Sequence, residues 1–233
     1  MNTQIELKEK AGRAAVDALV KSGMKLGLGT GSTAIHAIRR VGELLTQGVL
    51  CDICAFATSF QAEMECEKLG IPFYPLNSRE LDGSLDLCID GADEVNPQGH
   101  LIKGGGGALL VEKLTAYASA AYAITVDESK IVGSLGTGFP IPAELIPEAR
   151  VSAGKALEAL GGEAVLREAL RKAGPVITEH GNLIMDIRFA SPIDPVFMER
   201  EINQIPGVVE NGLFTRKTPV IYIARYDGTI EVR

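Results

Sequence analysis

No apolar run in the 233-residue chain reaches the length of about 18 residues that a membrane-spanning helix needs, so no span is expected. The opening residues Met1 to Glu6 lack a basic start followed by an apolar stretch. No secretory signal is therefore expected, and the chain reads as cytoplasmic and reduced. Basic residues are in deficit, with 23 Lys and Arg against 30 Asp and Glu and a net charge of -7. That balance argues against nucleic acid as a partner, because nucleic acid demands a basic surface. It leaves an anionic small molecule open, since local amides and lysines decide such binding. Metal-binding residues are scarce: the cysteines are Cys51, Cys54, Cys66 and Cys88, and the histidines are His36, His100 and His180. Cys51 and Cys54 form one C-x-x-C with no second pair, so neither a zinc site nor any other metal site is expected. Cys54 and Cys88 sit in apolar runs and read as small buried side chains. Repeats, low-complexity tracts and coiled coils are also missing. What remains is 46% apolar and 23% charged, the balance of a globular protein long enough for a sizeable core.

Periodicity predicts helices over 6–20, 34–46, 61–69 and 108–120, and strands over 24–28, 53–58, 71–76, 85–90 and 122–126. Strands alternating with helices imply βαβ units and a parallel sheet covered on both faces. Past residue 126 the pattern changes. Phe139-Pro140-Ile141-Pro142 is expected to break regular structure, helices are expected over 152–160 and 195–205, and strands over 176–178 and 183–187. Val220–Ala224 reads as a strand returning to the large sheet. The expected class is α/β, with a parallel-sheet main domain over 1–134 plus 207–233 and a smaller α+β domain over 135–206.

Ligands of such sheets bind beyond the carboxyl ends of the strands. Two loops follow strands directly. Gly29-Thr30-Gly31-Ser32-Thr33 offers glycine flexibility, hydroxyls and free amides at a helix start, which is a phosphate cradle or simply a tight turn with a Ser or Thr cap. It also fits G-x-G-x-x-A through Gly29, Gly31 and Ala34. The acid expected in a dinucleotide site would be Asp52, which lies at the wrong end of its strand. A Walker loop is excluded because no Gly-Lys-Ser/Thr follows. The second loop begins with Asp90, Asp93 and Glu94, either site carboxylates or a solvated acidic turn, and continues to Lys103 and four glycines, Gly104 to Gly107. Amides there suit an oxyanion. Glu112 lies opposite the stripe of Leu110, Leu114 and Tyr117, which by itself fits a solvated helix face. Lys130 follows another strand, which makes it a candidate for the same rim or simply a surface lysine.

Gly27 to Ala34, Ile89 to Glu94, Lys103 to Gly106, Glu112-Lys113, Asp127 to Lys130, Phe139 to Pro142, Gly181-Asn182 and Pro206 to Phe214 together resemble the ribose-5-phosphate isomerases of type A. The likeness is collinear from about Leu7 to the C-terminus. It implies a Rossmann-like main domain, a smaller α/β domain, and a homodimer or sometimes a tetramer. The implied activity is interconversion of D-ribose 5-phosphate and D-ribulose 5-phosphate in the non-oxidative pentose phosphate pathway, without metal or organic cofactor. It implies Glu112 as base, with Asp90 and Lys103 also catalytic. For substrate binding it implies Lys8, Thr30, Gly31, Ser32, Thr33, Asp90, Gly91, Ala92, Asp93, Lys103, Gly104, Gly105, Gly106 and Lys130. Small departures from the family pattern fall at Gly107, at Thr137-Gly138 and at Thr178-Glu179-His180. Three other readings stand beside it: a non-catalytic sugar-phosphate sensor, a CoA transferase with a glutamate nucleophile, and a dinucleotide oxidoreductase.

Overall fold

A computed structural model of the chain describes Thr3 to Arg233, which divide into two compact units. The first takes the chain up to Ala92, then Val111–Lys130 and Lys217–Arg233, and the second takes Asp93–Leu110 and Ile131–Arg216. Residues 93–110, 131–134 and 207–216, expected in the larger domain, belong to the second unit. The reason is strand pairing: Leu101–Ile102 pairs with both Glu94–Val95 and Leu213–Phe214, and Val208–Asn211 pairs with Ile141–Leu145.

In the first unit, α1 (Gln4–Leu19) opens with a reciprocal capping box between Thr3 and Glu6. Then follow β1 (Lys25–Leu28), α2 (Ala34–Thr46), β2 (Cys54–Ala57), α3 (Phe60–Leu69) and β3 (Leu85–Asp90). Gly70 ends α3 in the left-handed region at φ 66, where a Cβ would be strained. The helix α4 (Leu109–Ala118) runs into β6 (Ser119–Asp127), and the chain closes with β12 (Val220–Ala224) and β13 (Ile230–Val232). The six-stranded sheet has the order β13-β12-β6-β3-β1-β2, parallel except for the antiparallel edge strand β13. Leu26, Leu28, Leu87, Ile89 and Ala123 point to one face, into a core shared with Val16 of α1, Ile38 and Val41 of α2, and Ala62 and Cys66 of α3. On the other face Gly27, Cys88 and Tyr122 stand in register. There α4 approaches closely, since a Cβ on Gly27 would lie 2.4 Å from Thr115 Cγ2.

Two expectations fail here. The stretch 71–76 is not a strand but touches β2 by one bridge, Ala55 to Phe73, because Pro72 and Pro75 have no N–H to give a ladder. The stripe assigned to α4 is also turned: Leu114 is 52% exposed, whereas Glu112, Lys113 and Thr115 are buried. Packing against the sheet overrides the apolar periodicity.

The second unit holds a three-stranded sheet of β4 (Glu94–Val95), β5 (Leu101–Ile102) and β11 (Leu213–Phe214), in the order β11-β5-β4. Beside it are β7 (Ile141–Leu145), α5 (Arg150–Ala159), β8 (Gly162–Leu166), β9 (Leu183–Phe189), α6 (Pro195–Asn203) and β10 (Val208–Asn211). Their strands form an antiparallel sheet in the order β10-β7-β9-β8, with Leu157 of α5 and Ile202 of α6 in its core. The stretch through Pro142, expected to be irregular, is strand β7. A missing N–H is tolerated there because the carbonyl that would face it, Gly212 O, accepts Lys103 N at 2.9 Å, while Gly212 N donates to Pro142 O at 2.7 Å. Residues 176–178 are not a strand and contribute only the bridge Ile177 to Leu183.

Candidate active site

The first unit gathers its chemistry at the carboxyl ends of β1, β2, β3 and β6. Asp90, the last residue of β3, is fully buried. Its Oδ1 accepts Gly91 N at 2.7 Å and Thr30 N at 3.1 Å, which ties the acid to the turn after β1. Gly29 is obligatory, because a Cβ there would lie 2.0 Å from Asp90 Oδ1. Gly31, at φ 100, meets nothing within 4 Å of a Cβ and so turns a bare backbone to open space. The Thr30 hydroxyl lies 2.7 Å from Thr58 Oγ1 and 2.5 Å from Ser59 Oγ, and Gly31 N donates to Gln61 Oε1 at 3.1 Å. Thr33 makes no side-chain cap on α2, so the plain capped-turn reading does not hold. Lys8 Nζ donates to Ser32 Oγ at 2.9 Å, placing a cation on this turn. A Cβ on Gly91 would be 3.7 Å from Thr33 Cβ, so the start of the acidic loop lies against the same turn. Lys130 closes a short 3-10 helix directly after β6, at the same sheet edge, and is partly exposed. Asp127 holds that helix by accepting Ser129 N at 3.0 Å.

Glu112 is 4% exposed on the inward side of α4. It shares this face of the sheet with Tyr122, whose hydroxyl is buried without a hydrogen-bond partner among the described residues. Burial pushes the Tyr122 phenol well above its ordinary range, and the nearby charges of Asp90 and Glu112 add to the shift. Both carboxylates therefore act on one buried group. At the other end of α4, Lys217 Nζ donates to Ala116 O at 3.2 Å and also to Ser119 O, a cation on the carbonyl end of the helix.

The second unit carries Asp93, Lys103 and the glycine turn. Asp93 Oδ2 accepts Gly105 N at 2.8 Å. Lys103 is 2% exposed, and its Nζ sits 5.7 Å from the centroid of the Phe214 ring, a cation–π contact. Glu94, left open between site acid and solvated turn, is neither. It is buried, and its two oxygens accept Gly136 N and Gly138 N at 2.6 Å and Phe139 N at 2.7 Å, clasping the loop before β7. Ala92 and Asp93 fall on either side of the division between the units.

Among the described residues no group of three or more His, Cys, Asp or Glu is placed to hold a metal ion. Cys88 is buried as expected, whereas Cys54, expected to be buried as well, is half-buried; Cys66 is buried, Cys51 is exposed, and all four are free thiols. Asp52 stands at φ 58 in the turn before β2, away from the carboxyl ends of the strands, so a dinucleotide ribose has no acid to meet. Thr58, Ser59 and Gln61 were missed in sequence. The signal was available, since Ala57-Thr58-Ser59 ends a strand adjacent to the phosphate-type turn.

The family model for ribose 5-phosphate isomerase A (phosphoriboisomerase A) matches residues 54–228. The Treponema denticola ribose-5-phosphate isomerase A is 52% identical, covering 97% of this chain and 98% of that one. The chain belongs to the ribose 5-phosphate isomerase A family. Its members include the solved structure of ribose 5-phosphate isomerase A from Methanocaldococcus jannaschii, with TM-score 0.92 and 43% identity over 99% of both chains. A D-ribose-5-phosphate isomerase solved in complex with phospho-erythronic acid matches with TM-score 0.93 and 38% identity over 100% of both. Membership sets aside the sensor and CoA-transferase readings, because the match runs the length of an isomerase. No helix among the described residues is long and apolar enough to cross a membrane.

Proposed function

We propose that Glu112 is the base of an aldose–ketose isomerisation in which D-ribose 5-phosphate and D-ribulose 5-phosphate interconvert through a cis-enediolate. The interconversion is the activity of the family to which the chain belongs. The observation that carries the assignment of the base is the burial of Glu112 on the same sheet face as Asp90, where a carboxylate on a solvated helix face was the alternative. A carboxylate taken out of water costs free energy unless it is paired or hydrogen-bonded, and buried ionisable groups of this kind cluster at functional sites. Glu112 takes the proton from carbon 2 of the open-chain aldose and returns it to carbon 1, and Asp90 handles hydroxyl protons. Proton abstraction and return need no external electrons, so no cofactor enters the proposal.

The phosphate, with about 1.5 to 2 negative charges near neutral pH, is assigned to the turn Thr30, Gly31, Ser32 and Thr33, with Lys8 and Lys130 offsetting its charge. Gly91, Ala92 and Asp93 are assigned to the sugar hydroxyls. Lys103 and the amides of Gly104, Gly105 and Gly106 are assigned to the enediolate oxygen. The relative that carries phospho-erythronic acid supports this reading. That compound joins a phosphate and a carboxylate on a short carbon chain, the charge pattern of a sugar-phosphate enediolate. A homodimer and a cytoplasmic location belong to the same proposal.

A coupled assay with ribose 5-phosphate tests the activity, and Glu112→Gln tests the base. The variant is expected to bind ribose 5-phosphate with turnover reduced about 10²–10⁴-fold. Near-normal turnover would remove Glu112 from the role.

A further inference from the structure

The glycine turn of the second unit has a partner that neither its motif nor the family likeness singles out. Arg167 lies just past β8, and Asp186 of β9 holds it by a two-pronged pair, Nε to Oδ2 at 2.8 Å and Nη2 to Oδ1 at 2.5 Å. The remaining nitrogen, Nη1, donates to Gly104 O at 2.8 Å and to Gly105 O at 3.2 Å. A backbone bond from Gly107 N to Gly104 O at 3.0 Å closes the turn.

Peptide geometry turns these contacts into a directional device. In a trans peptide the carbonyl and the following N–H point in opposite directions, and the described residues contain no cis bond. With the Gly104 carbonyl on Arg167, the Gly105 N–H is sent the other way, where it meets Asp93 Oδ2 at 2.8 Å. With the Gly105 carbonyl on the same guanidinium, the Gly106 N–H is likewise turned away from Arg167. Gly105 and Gly106 are exposed. Glycine peptides in such a turn flip readily, because no Cβ opposes either orientation. A flip would present a carbonyl oxygen where an amide hydrogen now stands, and so repel an anion.

We infer that Arg167, fastened by Asp186, is a positioning residue for the isomerisation: it locks the Gly105–Gly106 peptide so that the Gly106 N–H, not the Gly105 carbonyl, faces the enediolate oxygen. The inference rests on the enediolate reading above. Asp186 keeps the planar guanidinium aimed, and a lysine ammonium reproduces neither the fork nor the second carbonyl contact.

The test compares Arg167→Ala and Arg167→Lys with the unaltered protein. Losing one aligned oxyanion donor costs about 10²–10³-fold where it is removed outright. Misalignment is expected to lower kcat by about 10–100-fold with KM changed by less than about threefold. Inhibition by phospho-erythronic acid is expected to weaken by a similar factor. Binding of erythritol 4-phosphate, which has the phosphate but no carboxylate, is expected to hold within about threefold. Added guanidinium ion restores part of the kcat of Arg167→Ala. If Arg167→Ala does not fold, Asp186→Asn, which loosens the fork but keeps its shape, shows the same split at smaller size. Unchanged kcat in folded variants, or equal losses for the acid and the alcohol, overturns the inference. Glu112→Gln is assayed in parallel. If it loses turnover while the Arg167 variants keep theirs, only this inference fails. If it keeps its turnover, the base assignment fails and this inference with it.

Discussion

On one face of the six-stranded sheet, Leu26, Leu28, Leu87 and Ile89 are sealed by α1, α2 and α3 without a charged group among them. On the other face, Gly27, Cys88, Asp90 and Tyr122 lie with Glu112 and Thr115 of α4. Each large apolar side chain buried on the first face contributes about 1.5–3 kcal/mol. The second face buries two carboxylates and a phenol, groups that must be paired or hydrogen-bonded to leave water without a large cost. One sheet therefore carries a face that holds the unit together and a face that holds reactive groups.

That division can be broken or sharpened in order of expected effect. Glu112→Gln is expected to cost about 3–5 kcal/mol in the activation barrier while shifting thermal unfolding far less than a core truncation does, because the amide keeps the shape of the carboxylate. A large loss of stability would show that α4 is held by Glu112. Leu26→Ala, on the apolar face, is expected to do the opposite: about 2–5 kcal/mol less stability by denaturant titration with kcat unchanged below the unfolding transition. Gly27→Ala falls between the two, since its new Cβ would lie 2.4 Å from Thr115 Cγ2. It is expected to cost about 1–3 kcal/mol in stability by overpacking and to lower kcat by displacing α4. Removing the offending methyl with Thr115→Ser in the same chain is expected to recover part of both, and a double variant no better than the single one would refute the packing account.

The last effect is silent at neutral pH and appears only in alkali. Burial, and then the neighbouring Glu65 and Glu63, push the Cys66 thiol from 9.0 up to about 12. The folded state keeps its proton while the unfolded state loses it, so this contribution is intact below pH 9 and is lost as pH rises toward 12. The slope is about 1.4 kcal/mol per pH unit. Cys66→Ala is expected to flatten that part of the stability profile measured by denaturant titration, and an unaltered slope would count against it.

Much of this was legible in the sequence where local chemistry and packing agree. The boundaries of α2 and β3 and the turn after β1 follow from apolar period, glycine and hydroxyls alone. Glu112 was not legible from spacing, because the stripe of Leu110, Leu114 and Tyr117 points the wrong way. The tight contact of Gly27 with Thr115, a long-range fact, is what turns α4 over. Pro142 misled for a similar reason: its lost N–H is compensated by Lys103 and Gly212, residues distant in the chain. Arg167 carries no motif at all, since its partners are backbone carbonyls and any arginine in sequence looks the same.

The central claim is that a proton, not a hydride, moves between carbons 2 and 1 on a single buried carboxylate. Its most direct test is to run ribose 5-phosphate to equilibrium in deuterium oxide and follow carbon 1 of ribulose 5-phosphate by NMR. The expected result is deuterium entering one of the two carbon 1 positions over successive turnovers, with both turnover and label lost in Glu112→Gln. Product that stays unlabelled through many turnovers, or labelling that persists in Glu112→Gln, would contradict the account.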